Sequence, residues 1–578
     1  MNYSFIKECL TNCGYCVSAV AYNSDEINAL KVEQKIGDHK VELLHFYVRE
    51  LYQMPEFLLN KPSHFDRLAH TTVFHDVNLA TICVNVPDSV SVNYEKPELA
   101  FIESLNRHIR LLTRALMEPE WNKQELLREF QAGWLSIIGN TESNFICLSE
   151  SSELEILKVL KPRAGVQMGL ATYYLGHPVN WSSENTISLL ANQLKKRNQA
   201  DGLGYIIPLN ELIPAPWTEN ELGEWYLSVL SSLHADVLFK LKNQYRQQRV
   251  REIWVIFNGH TSSGRTWFGI HFSLKSSVNG KKHLPLTGAN LQDWKLKAIK
   301  VSLFNKERLM PRSGAEQRLQ DKKVLLVGCG SVGGDIADKL AASGLGHITL
   351  CDIDYFTLEN LYRHILPINF VSYLKVSSLS ASLTHKYPWL SINAKNLTLL
   401  QLRSRDFLTK YDLIIIAIGS PTHERLFHDY LLKEKIKVPM INSWVEGYGI
   451  GGHATLDIPS KLGCLRCAYV NPKDLSRGLA SNLNFLKHNQ DITKNHAGCG
   501  DAFLPYTYIA STQTSLIAAD LAVKYLLERV NESSKVSWKG QADEAIDNGF
   551  LVSDRYYAFT RSLEILSLYN NECDICNG

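Results

Sequence analysis

Two Cys-x-x-Cys pairs, Cys464/Cys467 and Cys573/Cys576, have the spacing at which thiolates close a tetrahedral metal site. Four thiolates suit a structural zinc, because they leave no open position for a catalytic water. Buried free thiols and redox pairs are the alternative readings. A further cysteine, Cys499 in NHAGCGDAFLPYTYIAS, has glycines on both sides and is expected on a loop before a helix. A cysteine near a helix N-terminus tends toward a lowered pKa, which favours the nucleophilic thiolate, and the alternative is an inert structural thiol.

The second constellation is the glycine loop Gly328-Cys329-Gly330-Ser331-Val332-Gly333. Its glycines permit a tight turn and close backbone approach, and the helix that follows offers its positive dipole to phosphates. Asp352, about 20 residues further on, ends the next strand, where a ribose hydroxyl needs an acceptor. These features alone fit a dinucleotide oxidoreductase and an ATP enzyme equally. Asn360 and Arg363 in CDIDYFTLENLYRHIL, with Lys375 shortly after, separate the two. Hydride transfer has no use for this cluster at the phosphate end. Attack on an α-phosphate does, because charge develops on its oxygens as pyrophosphate leaves.

The elements that must position these residues alternate. KKVLLVGCGSVGG reads as a short apolar strand entering a glycine loop, DIADKLAASG as a helix ended by Gly344, and HITLCDID as the next strand. YDLIIIAIG and VPMINSW read as further buried strands. The pattern predicts an α/β fold with a doubly wound, mainly parallel, Rossmann-like sheet in the C-terminal half. Residues 1–145 hold mixed strand and helix patterns, closing on the amphipathic AFIESLNRHIRLLTRALM and NKQELLREFQAGWLSII. Residues 146–305 are strand-rich, with REIWVIFNG and TWFGIHFSL either side of the turn-rich HTSSGR. Three domains are therefore expected, at 1–145, 146–305 and 306–578.

Composition bounds the function. Over 578 residues the chain is 45% hydrophobic and 21% charged with a formal net charge of +2, which points to neither nucleic acid nor an acidic membrane as partner. The segment MNYSFIKECLTNCGYC has no apolar signal core, and no apolar run is long enough to span a bilayer, so a soluble cytoplasmic protein is expected. The 12 cysteines then read as metal or catalytic groups rather than disulfides.

The run GCGSVGG…LCDIDYFTLENLYRHI resembles the ThiF/MoeB superfamily, which includes the eukaryotic ubiquitin-activating enzymes. The resemblance implies that Asp352 binds ribose, and that Asn360, Arg363 and Lys375 handle the triphosphate and the adenylation transition state. It implies ATP with magnesium, a structural zinc on the four paired cysteines, and an acyl-accepting cysteine in the region of Cys499. One departure is plain. Family members carry an acidic residue after the strand matching DLIIIAIG that helps hold magnesium, whereas here Gly419 and Ser420 stand there, leaving Asp354 or Glu424 to compensate.

Upstream, HDVNLATICVNV resembles the active-site stretch of ubiquitin-conjugating enzymes, with Ile82-Cys83-Val84 matching the Ile-Cys-aliphatic signature and His75 with Asn78 approximating the turn before it. The proline of that turn is missing. End to end, the chain resembles the fused conjugating–activating proteins of bacterial CBASS anti-phage operons. That implies a protein substrate with a free C-terminal tail, either a cGAS-like nucleotidyltransferase or a ubiquitin-like protein, with homodimerisation common among relatives. A sulfur-transfer adenylyltransferase with an N-terminal docking module, an NAD-dependent oxidoreductase and a non-catalytic scaffold are the alternatives.

Overall fold

The computed structural model describes all residues except 23–26, 75, 85–91, 139–142, 162–171, 181–200, 246–247, 263, 471–479, 496–501 and 578. The described residues divide into two compact units, the first within Met1–Phe304 and the second within Asn305–Gly578.

In the second unit the buried apolar runs predicted as strands form an eight-stranded sheet. Its spatial order is Ser391–Lys395, His347–Cys351, Lys323–Val327, Leu413–Ile416, Met440–Val445, Gly451–Asp457, Ser534–Lys539 and Leu566–Ser567. The first five run parallel and the last three are antiparallel additions. Strands VLLV, ITLC and LIII are buried on both faces, as a sheet with helices on either side requires. One face packs on helices Ser331–Ala342, Lys375–Lys386 and Tyr508–Leu526. The other packs on helix Pro421–Lys433, which starts with proline at its first turn, and on the segment around Cys464 and Cys573.

Register is what places the site. Val327 pairs with Cys351 on one side and with Ile416 on the other, so three parallel strands end level. The loops that follow, beginning at Gly328, Asp352 and Ala417, therefore converge at the point where the strand order reverses.

The first unit begins with helix Tyr3–Asn12 and an antiparallel sheet ordered Cys16–Tyr22, Ile27–Ile36, His39–Phe46, Leu58–Asn60, Leu79–Ile82, Thr71–Phe74. Helix Pro97–Met117 buries Phe101, Leu105, His108, Leu112 and Ala115 along one stripe at helical spacing. Beyond it the strand-rich region closes into a seven-stranded barrel, because Asp201–Pro208 pairs with Glu252–Thr261 and also with Glu155–Leu160. Its interior is filled by side chains, including Phe145, Trp254 and Trp267. Gly176 and Gly202 make room for the first two of these, since an added Cβ would lie 2.4 Å from the Phe145 ring and 2.6 Å from Trp254. Helices Phe130–Ile138 and Leu222–Ser232 cover the outer wall, and the Trp134 indole N–H donates to the Ile299 carbonyl at 3.2 Å. Among the described residues no helix is long and apolar enough to cross a membrane.

Candidate adenylation site

The glycine loop turns sharply because its glycines have no Cβ. At Gly333 a Cβ would stand 1.8 Å from the Gly328 carbonyl oxygen, so the helix packs against the strand end only with glycine there. At Gly330, by contrast, nothing lies within 4 Å of an added Cβ, and the backbone faces an open cleft. Helix Ser331–Ala342 begins at this point, aiming its N-terminus at the same space.

Two adjoining cavities form the cleft. One, of about 410 Å³, is lined by Gly328, Asp352, Asp354, Leu397, Leu399 and Lys375. The other, of about 390 Å³, is lined by Ser331, Asn360, Arg363, Trp444, Tyr469 and Tyr506. Gly330, Lys375, Ala417 and Ile418 border both. The first has apolar walls and the acid Asp352 at the strand end, as a nucleoside needs. The second holds Arg363, with Lys375 between the two.

The loop and the acid are fastened to each other. Asp352 accepts from the Cys329 N–H at 2.6 Å and from the Asp354 N–H at 2.8 Å, which fixes its carboxylate at the strand end. Behind the loop, buried His364 donates from Nε2 to the Cys329 carbonyl at 2.7 Å and accepts from the Leu366 N–H at Nδ1. Burial lowers its pKa, so the ring serves as a neutral support.

Lys375, 9% exposed, opens helix Lys375–Lys386 and reaches Asp354 at 3.0 Å. Arg363 lies with its guanidinium carbon 5.2 Å from the Tyr506 ring centroid and donates to the Leu504 carbonyl at 3.4 Å. Asn360 turns its carboxamide oxygen back to cap its own short turn, accepting from the Thr357 N–H at 3.2 Å. Asn360, Arg363 and Lys375 all line the cleft. Tyr506, Trp444 and Tyr469 carried no motif and are recognised only by where they line the cleft.

Gly419 has φ +65° with open space at its Cβ position, so no side chain replaces the family's acid there. Glu424 lines the cleft, but its carboxylate is engaged within the fold. Its carboxylate accepts from the Ser420 N–H at 3.2 Å and from the Asn442 amide at 2.9 Å, stapling the turn to the neighbouring strand. Burial pushes its pKa up to about 7, against the lowering effect of those bonds. The Asp354 side chain, 62% exposed beside Lys375, is the carboxylate that fits a magnesium–nucleotide complex, which needs only one or two protein carboxylates besides the phosphates.

The paired cysteines meet as expected. Their sulfurs lie within 4.8 Å of one another, with Cys464–Cys573 at 3.7 Å, Cys467–Cys576 at 3.6 Å and Cys464–Cys576 at 3.7 Å. A zinc–sulfur bond of about 2.3 Å sets tetrahedral edges of about 3.8 Å, whereas a disulfide needs about 2 Å. The four thiols thus fit zinc. Asp457 orients the first pair, accepting from the Leu465 N–H at 2.9 Å while buried His428 holds it at 2.9 Å.

Cys499 and His75 lie outside the described residues. Cys83 is exposed just past the strand Leu79–Ile82, and its N–H donates to the His70 carbonyl at 2.7 Å. Partial desolvation by its surroundings, with the nearby carboxylates of Glu129 and Glu56, raises its thiol pKa. Asn78 has φ +50° in the turn before it. His70 is itself clamped, with Nδ1 2.5 Å from Glu129 and Nε2 3.2 Å from Glu125.

A glycine loop at the switch point of a parallel sheet places the second unit among the nucleotide-binding, doubly wound α/β domains. Residues 300–574 match the model of the ThiF family, and the C-terminal half of the chain is a ThiF family domain. The chain is similar to the ATP-dependent ubiquitin transferase-like protein Cap2 of Vibrio cholerae, 24% identical over 273 residues, 46% of this chain and 45% of that protein. It is also similar to Cap2 of Escherichia coli, 28% identical over 215 residues, 35% of each. The adenylyltransferase and sulfurtransferase UBA4 of Lodderomyces elongisporus is 27% identical over 173 residues, 29% of this chain and 37% of that protein. The matched stretch spans less than half the length of each of these relatives.

Proposed function

We propose that the C-terminal unit adenylates the C-terminal carboxylate of a partner protein, and that Cys499 and then Cys83 carry the acyl group to a target amine. The observation that carries this reading is the meeting of Asp352, Arg363 and Lys375 on one cleft at the switch point. Asp352 accepts from the ribose, and the loop N–H groups with Lys375 and Arg363 stabilise charge on the phosphate oxygens. A carboxylate oxygen of the tail attacks the α-phosphorus, its new bond forming as the bond to pyrophosphate breaks. Asp354 would hold a magnesium ion beside the phosphates, where it would supply further neutralisation of their charge.

The Cys499 thiolate then attacks the acyl carbon and AMP leaves. The Cys83 thiolate takes the acyl group from Cys499, and an amine displaces Cys83, losing its proton as the amide forms. Adenylation makes a poor electrophile into a good one, and each thioester preserves the activation. In this scheme 1–145 is the conjugating-like domain, 146–305 a linker and 306–578 the activating domain. The partner is a cGAS-like nucleotidyltransferase or a ubiquitin-like protein, and the setting is a cytoplasmic anti-phage pathway, with the enzyme acting as a homodimer. The relatives named ubiquitin transferase-like support this over sulfur transfer, the second reading, which the adenylyltransferase and sulfurtransferase relative supports.

Trapping the full chain with ATP and its partner on non-reducing gels tests the order. Cys499→Ala forms no thioester, and Cys83→Ala accumulates one on Cys499 and makes no amide. A Cys83→Ala protein that conjugates at the wild-type rate ends the conjugating role and leaves an activating enzyme with a docking module.

A further inference from the structure

We propose that Tyr506 is a positioning residue of the adenylation cleft: its hydroxyl sets Ser331 at the helix N-terminus and its ring holds the Arg363 guanidinium toward the phosphates. The inference rests on the adenylation reading of the cleft.

Three observations carry it. The Tyr506 hydroxyl lies 2.9 Å from Ser331 Oγ, the first residue of helix Ser331–Ala342, where the N-cap is Gly330 and offers no side chain. The Tyr506 ring lies under Arg363 at 5.2 Å. Both contacts come from one half-buried side chain on the cleft wall. Its backbone leads directly into helix Tyr508–Leu526, which is tied to the glycine-loop helix where the Ser515 hydroxyl donates to the Val332 carbonyl at 2.9 Å. Tyr506 is therefore mounted on the same rigid support as the loop it touches.

The chemistry of each contact favours a phosphate ligand. A guanidinium held by a carboxylate would have its charge neutralised and its donors occupied. A ring face holds it through the quadrupole and leaves the in-plane N–H groups, apart from the one given to the Leu504 carbonyl, open to an anion. The contrast is within the site, since Lys375 is held by Asp354 instead. The hydroxyl pair is likewise directional. When Tyr506 donates to Ser331 Oγ, the serine keeps its own proton to donate to an oxygen at the helix N-terminus.

Calorimetric titration of the full chain with a non-hydrolysable ATP analogue and with AMP separates positioning from mere packing. Tyr506→Phe, which keeps the ring, weakens the ATP analogue about threefold, and Tyr506→Ala about tenfold or more. AMP, lacking the β- and γ-phosphates, weakens less than about twofold in both. Arg363→Ala combined with Tyr506→Ala is weaker than Arg363→Ala alone only by about threefold, the share of the lost hydroxyl, because the ring acts through the guanidinium while the hydroxyl acts through Ser331. Tyr506→Ala binding the analogue within about twofold of wild type overturns the proposal, as do equal losses for the analogue and AMP or the full loss of Tyr506→Ala, about tenfold, on top of Arg363→Ala in the double variant. If Tyr506→Ala does not fold, Tyr506→Phe decides by the same comparison. Arg363→Ala binding the analogue as wild type does is a different failure, because it removes the adenylation reading itself.

Discussion

Lys375 occupies a position that folding alone does not favour. It is a buried cation at the first residue of a helix, where the macrodipole penalises positive charge by about 0.3–1 kcal/mol. Its ion pair with Asp354 returns little, about 0–1 kcal/mol, because that carboxylate is 62% exposed and screened by solvent. The two terms nearly cancel, so Lys375→Met, which keeps most of the buried stem, leaves stability almost unchanged. Activity behaves differently. One fixed charge lost from a transition state costs about 2.7–4 kcal/mol, or about 10²–10³-fold in rate. Initial rates of ATP–pyrophosphate exchange at saturating ATP and tail, set beside a thermal melt, separate the two effects. The expected result is a fall of at least about 100-fold with a melting shift below about 3 °C. Exchange within about threefold of wild type refutes the role, and a melt lowered by many degrees shows that Lys375 is a packing residue.

The remaining predictions concern the cysteines and the clamp on His70. Protein purified without chelator should hold one zinc per chain, and Cys573→Ser should lose the metal and destabilise the C-terminal unit, since site formation is coupled to folding; elemental analysis without zinc contradicts this. The pKa of His70 is raised, first by its bond to Glu129, so its clamp is complete below the ordinary histidine pKa of about 6.5 and loosens as pH climbs through the higher folded value. Protection of the Cys83 amide from hydrogen exchange should therefore fall on the alkaline side. That pH dependence should vanish in His70→Gln; protection independent of pH in the wild type removes the clamp.

The chemistry was legible wherever it depended on local spacing. Glycines at 328, 330 and 333, the acid at 352 and the Cys-x-x-Cys pairs each announce a local geometry, and the strands between them are too apolar to lie anywhere but inside a covered sheet. What depended on distant pairing was not legible. Barrel closure requires Glu155–Leu160 to meet Asp201–Pro208, a register no local pattern sets. The His70 clamp joins residues 55 and 59 positions apart, and Tyr506 reaches Ser331 across 175. Glu424 shows the limit from the other side. Its sequence position offered a metal ligand, and the hydrogen bonds it takes from Ser420 and Asn442 were not visible in the sequence.

The central claim is that this cleft joins AMP to a protein's C-terminal carboxylate, and labelled pyrophosphate exchange into ATP tests it most directly. With the full chain and a candidate partner, label should enter ATP only when the partner ends in a free carboxylate, and should stop when that tail is removed or amidated. Exchange that ignores the tail, or none with any nucleotidyltransferase or ubiquitin-like partner while NAD binds the cleft tightly, would contradict the account.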